Sequence, residues 1–248
     1  MLRRTIREAI NKRATTFFAR HFVTHIQIPC AKVDDDAKQN PWELIGFDVI
    51  NDRFQVGGVT IDLLTNGQSN NMIGLGLSNL DDDITTQVDG IPVWKSSQQK
   101  LIQTDENNNS NKVSHLDHIV VRSHNILKTK HALSIDLNLT LRRETQDIYP
   151  GMTHLFYKEP NQTNTPIVEV IGPTASKKDG AYVWGLTFVS PKIAFTQKHI
   201  GSEYTSVIRN AKQKDRQIFT LRHKLIPGIS TNVAFISPHC HHTKLQNR

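Results

Sequence analysis

Short runs in which apolar and polar residues alternate dominate this 248-residue chain. Alternation with period two is the mark of a strand that buries one face. Four such runs share a longer layout: a strand-like start, a polar turn, then a helix-compatible stretch. They are HIQIPCAKVDDD from His25, IGLGLSNLDDDI from Ile73, HIVVRSHNILKT from His118 and WGLTFVSPKIAF from Trp184. Further strand-like runs follow: IGFDVI, RFQVGG and VTIDLLT after the first start, LNLTLRR, MTHLFYK and IVEVIG after the third, and YTSVIRN, RQIFTLR and STNVAFIS after the fourth. Repetition at this scale sets the architecture, and it predicts an α+β fold of tandem βαβββ-type modules in two halves. Asp34–Asp36, Asp81–Asp83 and Ser123 supply helix-start signals. Pro41 falls where the later turns of the first helix would lie and argues against a full helix there. Gly57-Gly58 and Gly67 mark turns between strands.

The second module is truncated. After IPVW and KLIQT the chain runs into TDENNNSNK, a polar stretch of low complexity that reads as a linker over 104–112. The expected organisation is an N-terminal half over 24–103, a C-terminal half over 113–238 and a tail over 239–248. A single α+β domain without a true repeat is the simpler alternative. A hydrophobic content of 37% is enough for one large core or two small ones. No stretch reaches the roughly 18 consecutive apolar residues of a membrane-spanning helix, so no transmembrane segment is expected.

The formal charge of +7 changes meaning once it is mapped. Residues 1–25 hold Arg3, Arg4, Arg7, Lys12, Arg13 and Arg20 against the single acid Glu8, which leaves only +2 for the rest. The body therefore lacks the basic stripe that phosphate binding needs, and a nucleic-acid partner is not expected. In the basic segment, Ile6, Ile10, Phe17 and Phe18 can share a helix face. An Arg-rich, acid-poor amphipathic helix is the composition of a mitochondrial targeting segment, here 1–23, and predicts a matrix location. A basic arm or surface helix has the same composition. The two cysteines, Cys30 and Cys240, require no disulfide and fit a reducing compartment.

Candidate chemistry comes from polar residues on otherwise apolar strands. His25 and Gln27 alternate with Ile26 and Ile28, Asp62 lies between Ile61 and Leu63, and Glu169 lies between Val168 and Val170. A carboxylate so placed needs a metal, a cation or water. His118 with Glu169 makes a sensible metal pair or base pair. The same Glu169 can instead pair with Arg122, Arg142, Arg143 or Arg222 in a structural role, and His154, Tyr157, Trp184 and Arg222 suit either a pocket wall or the core. The tail PHCHHTK groups His239, Cys240, His241 and His242, at a spacing that fits no standard zinc site. No phosphate loop, G-x-S-x-G, C-x-x-C or H-E-x-x-H pattern occurs.

LDHIVVRS, then IVEVIG some fifty residues on, then WGLTFVSP, resembles the glyoxalase, bleomycin-resistance and extradiol-dioxygenase (vicinal-oxygen-chelate) superfamily. HIQIPC, FQVGGVTIDLL and GLGLSNLDDDI carry the same layout in the first half. The resemblance covers nearly all of residues 24–238. It implies curled mixed sheets around a cleft, and a divalent metal (Zn, Ni, Mn, Co or Fe) held by a first-strand His or Gln and a last-strand Glu. His25 and His118 match the first-strand ligand, and Asp62 and Glu169 match the last-strand ligand. Gly74 and Gly185 stand where second histidines would be, and Ala234 where a second Glu would be. Each half thus holds one His and one carboxylate, so a full ligand set would need half-sites joined within the chain or across a homodimer. The activity implied is that of a metal-dependent lyase or isomerase, with His118 and Glu169 catalytic and a small oxygen-bearing molecule as ligand. Two other expectations stand beside it: an inactive accessory subunit of a mitochondrial assembly, and a metal-free module that sequesters a ligand.

Overall fold

The computed structural model of the chain describes residues 22–30, 40–64, 73–78, 80, 87–96, 109–160, 162, 165–174, 176 and 178–239. The segments with Asp34–Asp36, Gly67, Asp81–Asp83 and KLIQT, and the ends of the chain at 1–21 and 240–248, lie outside the described residues.

The C-terminal half shows the module in full. It runs β7 (His115–Ser123), α2 (Ile126–His131), β8 (Leu141–Thr145), β9 (Thr153–Tyr157) and β10 (Ile167–Gly172), then repeats as β11 (Ala181–Val189), α3 (Ile193–Ile200), β12 (Arg209–Asn210), β13 (Gln217–Thr220) and β14 (Asn232–Ile236). The strand order is β12-β13-β14-β11-β7-β10-β9-β8. Each module's first strand pairs parallel with its last, and the two first strands pair antiparallel at the centre. The sheet is therefore mixed and two-fold in pattern.

Among the described residues, the N-terminal half follows the same plan with fewer strands. It comprises β1 (Val23–Pro29), α1 (Pro41–Leu44), β2 (Arg53–Val56), β3 (Val59–Leu64), β4 (Gly74–Leu77), β5 (Gln87–Val88) and β6 (Ile91–Lys95), in the order β2-β3-β1-β4-β6-β5. IGFDVI, expected as a strand, is not one. Ile45 caps a one-turn helix, Gly46 turns the chain at φ 89°, and Phe47 drops into the core. Pro41 opens α1 instead of interrupting a longer helix. Asn40 accepts from the Trp42 N–H at 2.9 Å, Glu43 accepts from the Asn40 N–H at 3.0 Å, and proline at the first helical position loses no bond.

The apolar faces of both sheets meet in one core. Phe47 stacks near Phe54 of its own half at 4.6 Å and Phe188 of the other at 5.0 Å, between ring centroids. The last residues of the expected linker are part of this seam. Asn111 is fully buried, donates to the Ile45 carbonyl at 2.9 Å, and its own carbonyl accepts from Thr196 of α3 at 2.5 Å. At the far end, the two-residue Asp89-Gly90 turn, both φ positive as a tight hairpin requires, docks on the second half. There the Asp89 carbonyl accepts from the Ala181 N–H at 2.6 Å and the Asp89 carboxylate from Thr129 at 2.5 Å.

Candidate functional site

Residues opposite one another in a ladder share a face. On β7, His118 stands opposite Ile167 of β10 and Thr187 of β11, while Val120 stands opposite Glu169 and Gly185. Ala234 of β14 lies beside Thr187. His118, Glu169, Thr187 and Ala234 therefore occupy the sheet face turned away from the buried Ile119, Val121, Val168 and Val170. The same ladder recurs in the first half. There His25 stands opposite Gly76, Gln27 opposite Asp62 and Gly74, and Trp94 opposite Gly76. In register, His25 corresponds to His118, Asp62 to Glu169, Gly74 to Gly185 and Trp94 to Ala234.

In the C-terminal half the polar groups join into one chain of contacts. His154 on β9, fully buried, donates from Nδ1 to Glu169 Oε1 at 2.9 Å. The other oxygen, Oε2, lies 3.7 Å from His118 Nε2. His118 Nδ1 donates to Asp117 Oδ2 at 2.8 Å, and Arg216 donates to Asp117 Oδ1 at 2.7 Å. Arg216 also donates to the Ser237 carbonyl at 2.6 Å and meets His239 Nε2 at 3.3 Å. Burial pushes the Asp117 carboxyl up, but the hydrogen bonds and charges of His118 and Arg216 outweigh it and hold the group far below the ordinary carboxylate range. Asp117 is thus a fixed anion. It sets the His118 tautomer, with hydrogen on Nδ1, and aims Nε2 at Glu169. His154 Nε2 is buried with no partner, which fits the tautomer that carries its hydrogen on Nδ1 toward Glu169.

The equivalent groups of the N-terminal half are engaged separately. His25 Nδ1 meets Ser96 Oγ at 2.6 Å, and burial lowers its pKa against the opposing pull of Asp62. Asp62 takes an ion pair from Arg53. The indole of Trp94 covers Gly74 and Gly76: a Cβ on Gly74 would sit 2.7 Å from the ring, and one on Gly76 would sit 2.9 Å from it and 2.7 Å from His25. His25 and Asp62 share a face but do not form a joint site.

Ala234 leaves open the space that Trp94 fills. A cleft of ≈ 440 Å³ lies over Val120, Gly185, Thr187 and Ala234, within the size range of small-molecule sites. Trp184 and Asn232 form one side, joined by a 3.0 Å bond from the Asn232 amide to the Trp184 carbonyl, and Arg122 lies 5.7 Å above the Trp184 ring. Arg222, His223 and Lys224 form the rim. Val120 and Thr187, in the cleft, are the ladder neighbours of Glu169 and His118, so the acid–base groups lie one strand away from residues that line it.

A scan of protein-family models gives no match, and a search of curated proteins also gives none. Among solved structures the chain is similar to methylmalonyl-CoA epimerase from Mycobacterium tuberculosis, with 14% identity and a TM-score of 0.41 over 52% of this chain and 91% of that one. It is also similar to a Streptomyces coelicolor methylmalonyl-CoA epimerase variant in complex with 2-nitronate-propionyl-CoA, with 14% identity and a TM-score of 0.40 over 50% and 97%. A hypothetical protein from Bacillus halodurans gives 14% and 0.38 over 50% and 94%. Likenesses this weak decide nothing about this chain, whose fold is described by its own strand order and register. The fold is α+β. Two paired modules build each mixed sheet with their first strands central, the layout that the glyoxalase-like resemblance implies.

Not every ligand that the glyoxalase-like resemblance implies is supplied. Gly185 and Ala234 contribute no donor atom, and one oxygen of Glu169 is already taken by His154. No group of three or more metal-binding side chains converges among the described residues. Two donors, His118 and Glu169, fall short of the three or more protein ligands of a resident catalytic ion, so the donor set does not fit one. Of the wall residues considered from sequence, Trp184 and Arg222 line the cleft, His154 binds Glu169, and Tyr157 lies on the buried face near Ser134 at 3.3 Å. The arginines considered as partners of Glu169 are not its partners; His154 is. Arg216 and Trp94 carried no sequence signal, because each acts through residues far away in the chain.

Proposed function

We propose that this glyoxalase-like chain binds a small oxygen-bearing molecule over its C-terminal sheet and moves a proton at a carbon beside a carbonyl. The observation that supports this most directly is Glu169, held through one oxygen by His154 while its other oxygen stands beside His118, on strands whose neighbouring residues line an open cleft. The carboxylate would take the proton, leaving an enolate, and return it to the same or the neighbouring carbon. This is the balanced exchange of an isomerase or epimerase. His118, with Nδ1 bound to the anion Asp117, presents the lone pair of Nε2 beside Glu169 and would accept a proton at the same centre. The reading needs no step through a metal. Among the described residues of the N-terminal half, Trp94 covers Gly74 and Gly76 and Arg53 pairs with Asp62, so the reading rests on the C-terminal half.

The test is solvent-deuterium uptake, followed by proton NMR, at the acidic carbon of a 2-alkylmalonyl thioester and of the methylglyoxal–glutathione hemithioacetal. Wild type should catalyse uptake in at least one, and Glu169→Gln should slow it by about 10²-fold or more. No uptake in the wild type, or equal rates in both proteins, would sink the proposal. The basic amphipathic segment 1–23 supports a matrix location; a reporter carrying it should enter mitochondria, and one left in the cytosol would refute that part.

A further inference from the structure

The cleft differs from its counterpart in the N-terminal half by what fills it. At the position of Ala234 the first half places Trp94, whose ring packs on Gly74 and Gly76. The fold thus has a way to fill this space from within and does not use it in the second half. The cleft floor is apolar, formed by Val120, Gly185 and Ala234. Its rim places Arg222, His223 and Lys224 side by side, and among the described residues no acidic residue lines the space. Among the described residues no carboxylate pairs with Arg222 or Lys224; the Arg222 side chain reaches only the Glu203 carbonyl, at 3.4 Å.

We propose that the cleft is a site for a small organic anion, with its apolar body on Val120, Gly185 and Ala234 and its charge between Arg222 and Lys224. This names the ligand class for the site and rests on the cleft being the ligand-binding face, as proposed above. Charge recognition at a basic rim above an apolar floor selects amphiphilic anions over neutral molecules of the same shape, since only the anion gains the attraction of the two rim cations. The charge would sit at the rim, and the apolar portion would reach toward Thr187 and so toward Glu169 and His118.

The test is titration calorimetry of the full chain with 2-naphthoate and with 2-naphthamide, which share a shape but not a charge. Naphthoate should bind one to one, at least about tenfold tighter than the amide, a difference of about 1.4 kcal/mol. The double variant Arg222→Gln/Lys224→Gln should bring naphthoate down to the affinity of the amide, and Ala234→Trp should abolish binding of both. The double variant changes exposed side chains only, so its result stands even if the tryptophan disturbs folding. No naphthoate binding, equal affinity for acid and amide, or unchanged affinity in the double variant would each overturn the proposal. Glu169→Gln should still bind naphthoate. Binding without Glu169-dependent exchange would remove the proton-transfer reading and leave the anion site in place.

Discussion

Glu169 owes its candidate role to two histidines that reach it from neighbouring strands, and Asp117 owes its own role to being buried between His118 and the Arg216 guanidinium. The Asp117 and Arg216 side chains are 12% and 2% exposed. Replacing Asp117 by Asn would leave the guanidinium buried without its counter-charge, so Asp117→Asn should destabilise the fold by about 3 kcal/mol, measured by urea denaturation at neutral pH. The effect carries a sign in pH. The folded pKa is depressed, so the stabilisation is complete above the unfolded value of about 3.9 and falls away as pH drops below it. The gap between wild type and variant should therefore narrow in acid; a gap unchanged down to pH 3 would contradict the ionised pair. At this scale the strand alternation showed which face Glu169 takes and left His154 open as wall or core. It did not show that β9 lies beside β10 in the register that lets His154 reach Glu169.

The first two modules form a sheet from few described elements. Among the described residues the first has a single helical turn and a β2–β3 hairpin, and the second has β4, β5 and β6. Both keep the parallel pairing of first and last strand. IGFDVI has the composition of a strand, but its apolar residues serve a turn that buries Ile45 and Phe47 against the second half, and tertiary packing overrides local preference. Trp94 takes over the open face of this reduced sheet. Because the indole is only partly buried, Trp94→Ala should cost about 2–3 kcal/mol, below the figure for a fully buried aromatic residue, measured as a shift in denaturation midpoint. An unchanged midpoint would mean that the ring is not packed on Gly74 and Gly76. The helix-start signal at Ser123 was near its mark. Asn125 is the cap, accepting from the Lys128 N–H at 3.4 Å, while buried Ser123 holds the Asn125 N–H at 3.0 Å.

At the scale of the molecule, two sheets share one core through Phe47, Asn111 and the Asp89-Gly90 turn. Phe47 is 2% exposed and touches aromatic rings of both halves. Phe47→Ala should therefore destabilise by about 3–5 kcal/mol, and unfolding should remain one transition. Coincident curves from tryptophan fluorescence and far-ultraviolet circular dichroism would show this. Two separated transitions would show instead that the halves fold independently.

The chain's own pattern determined the repeating strands, the division into two sheets and the faces of His25, Asp62 and Glu169, while the resemblance placed Gly74, Gly185 and Ala234 at matching positions. These are legible because alternation and repetition are local properties of the chain. Only the tertiary structure decided which half keeps an open cleft. That choice depends on contacts between residues distant in sequence: Trp94 over Gly74 and Gly76, Ser96 on His25, His154 on Glu169, and Arg216 on Asp117. Each requires the sheet order and register, which long-range packing sets and no short stretch of sequence encodes.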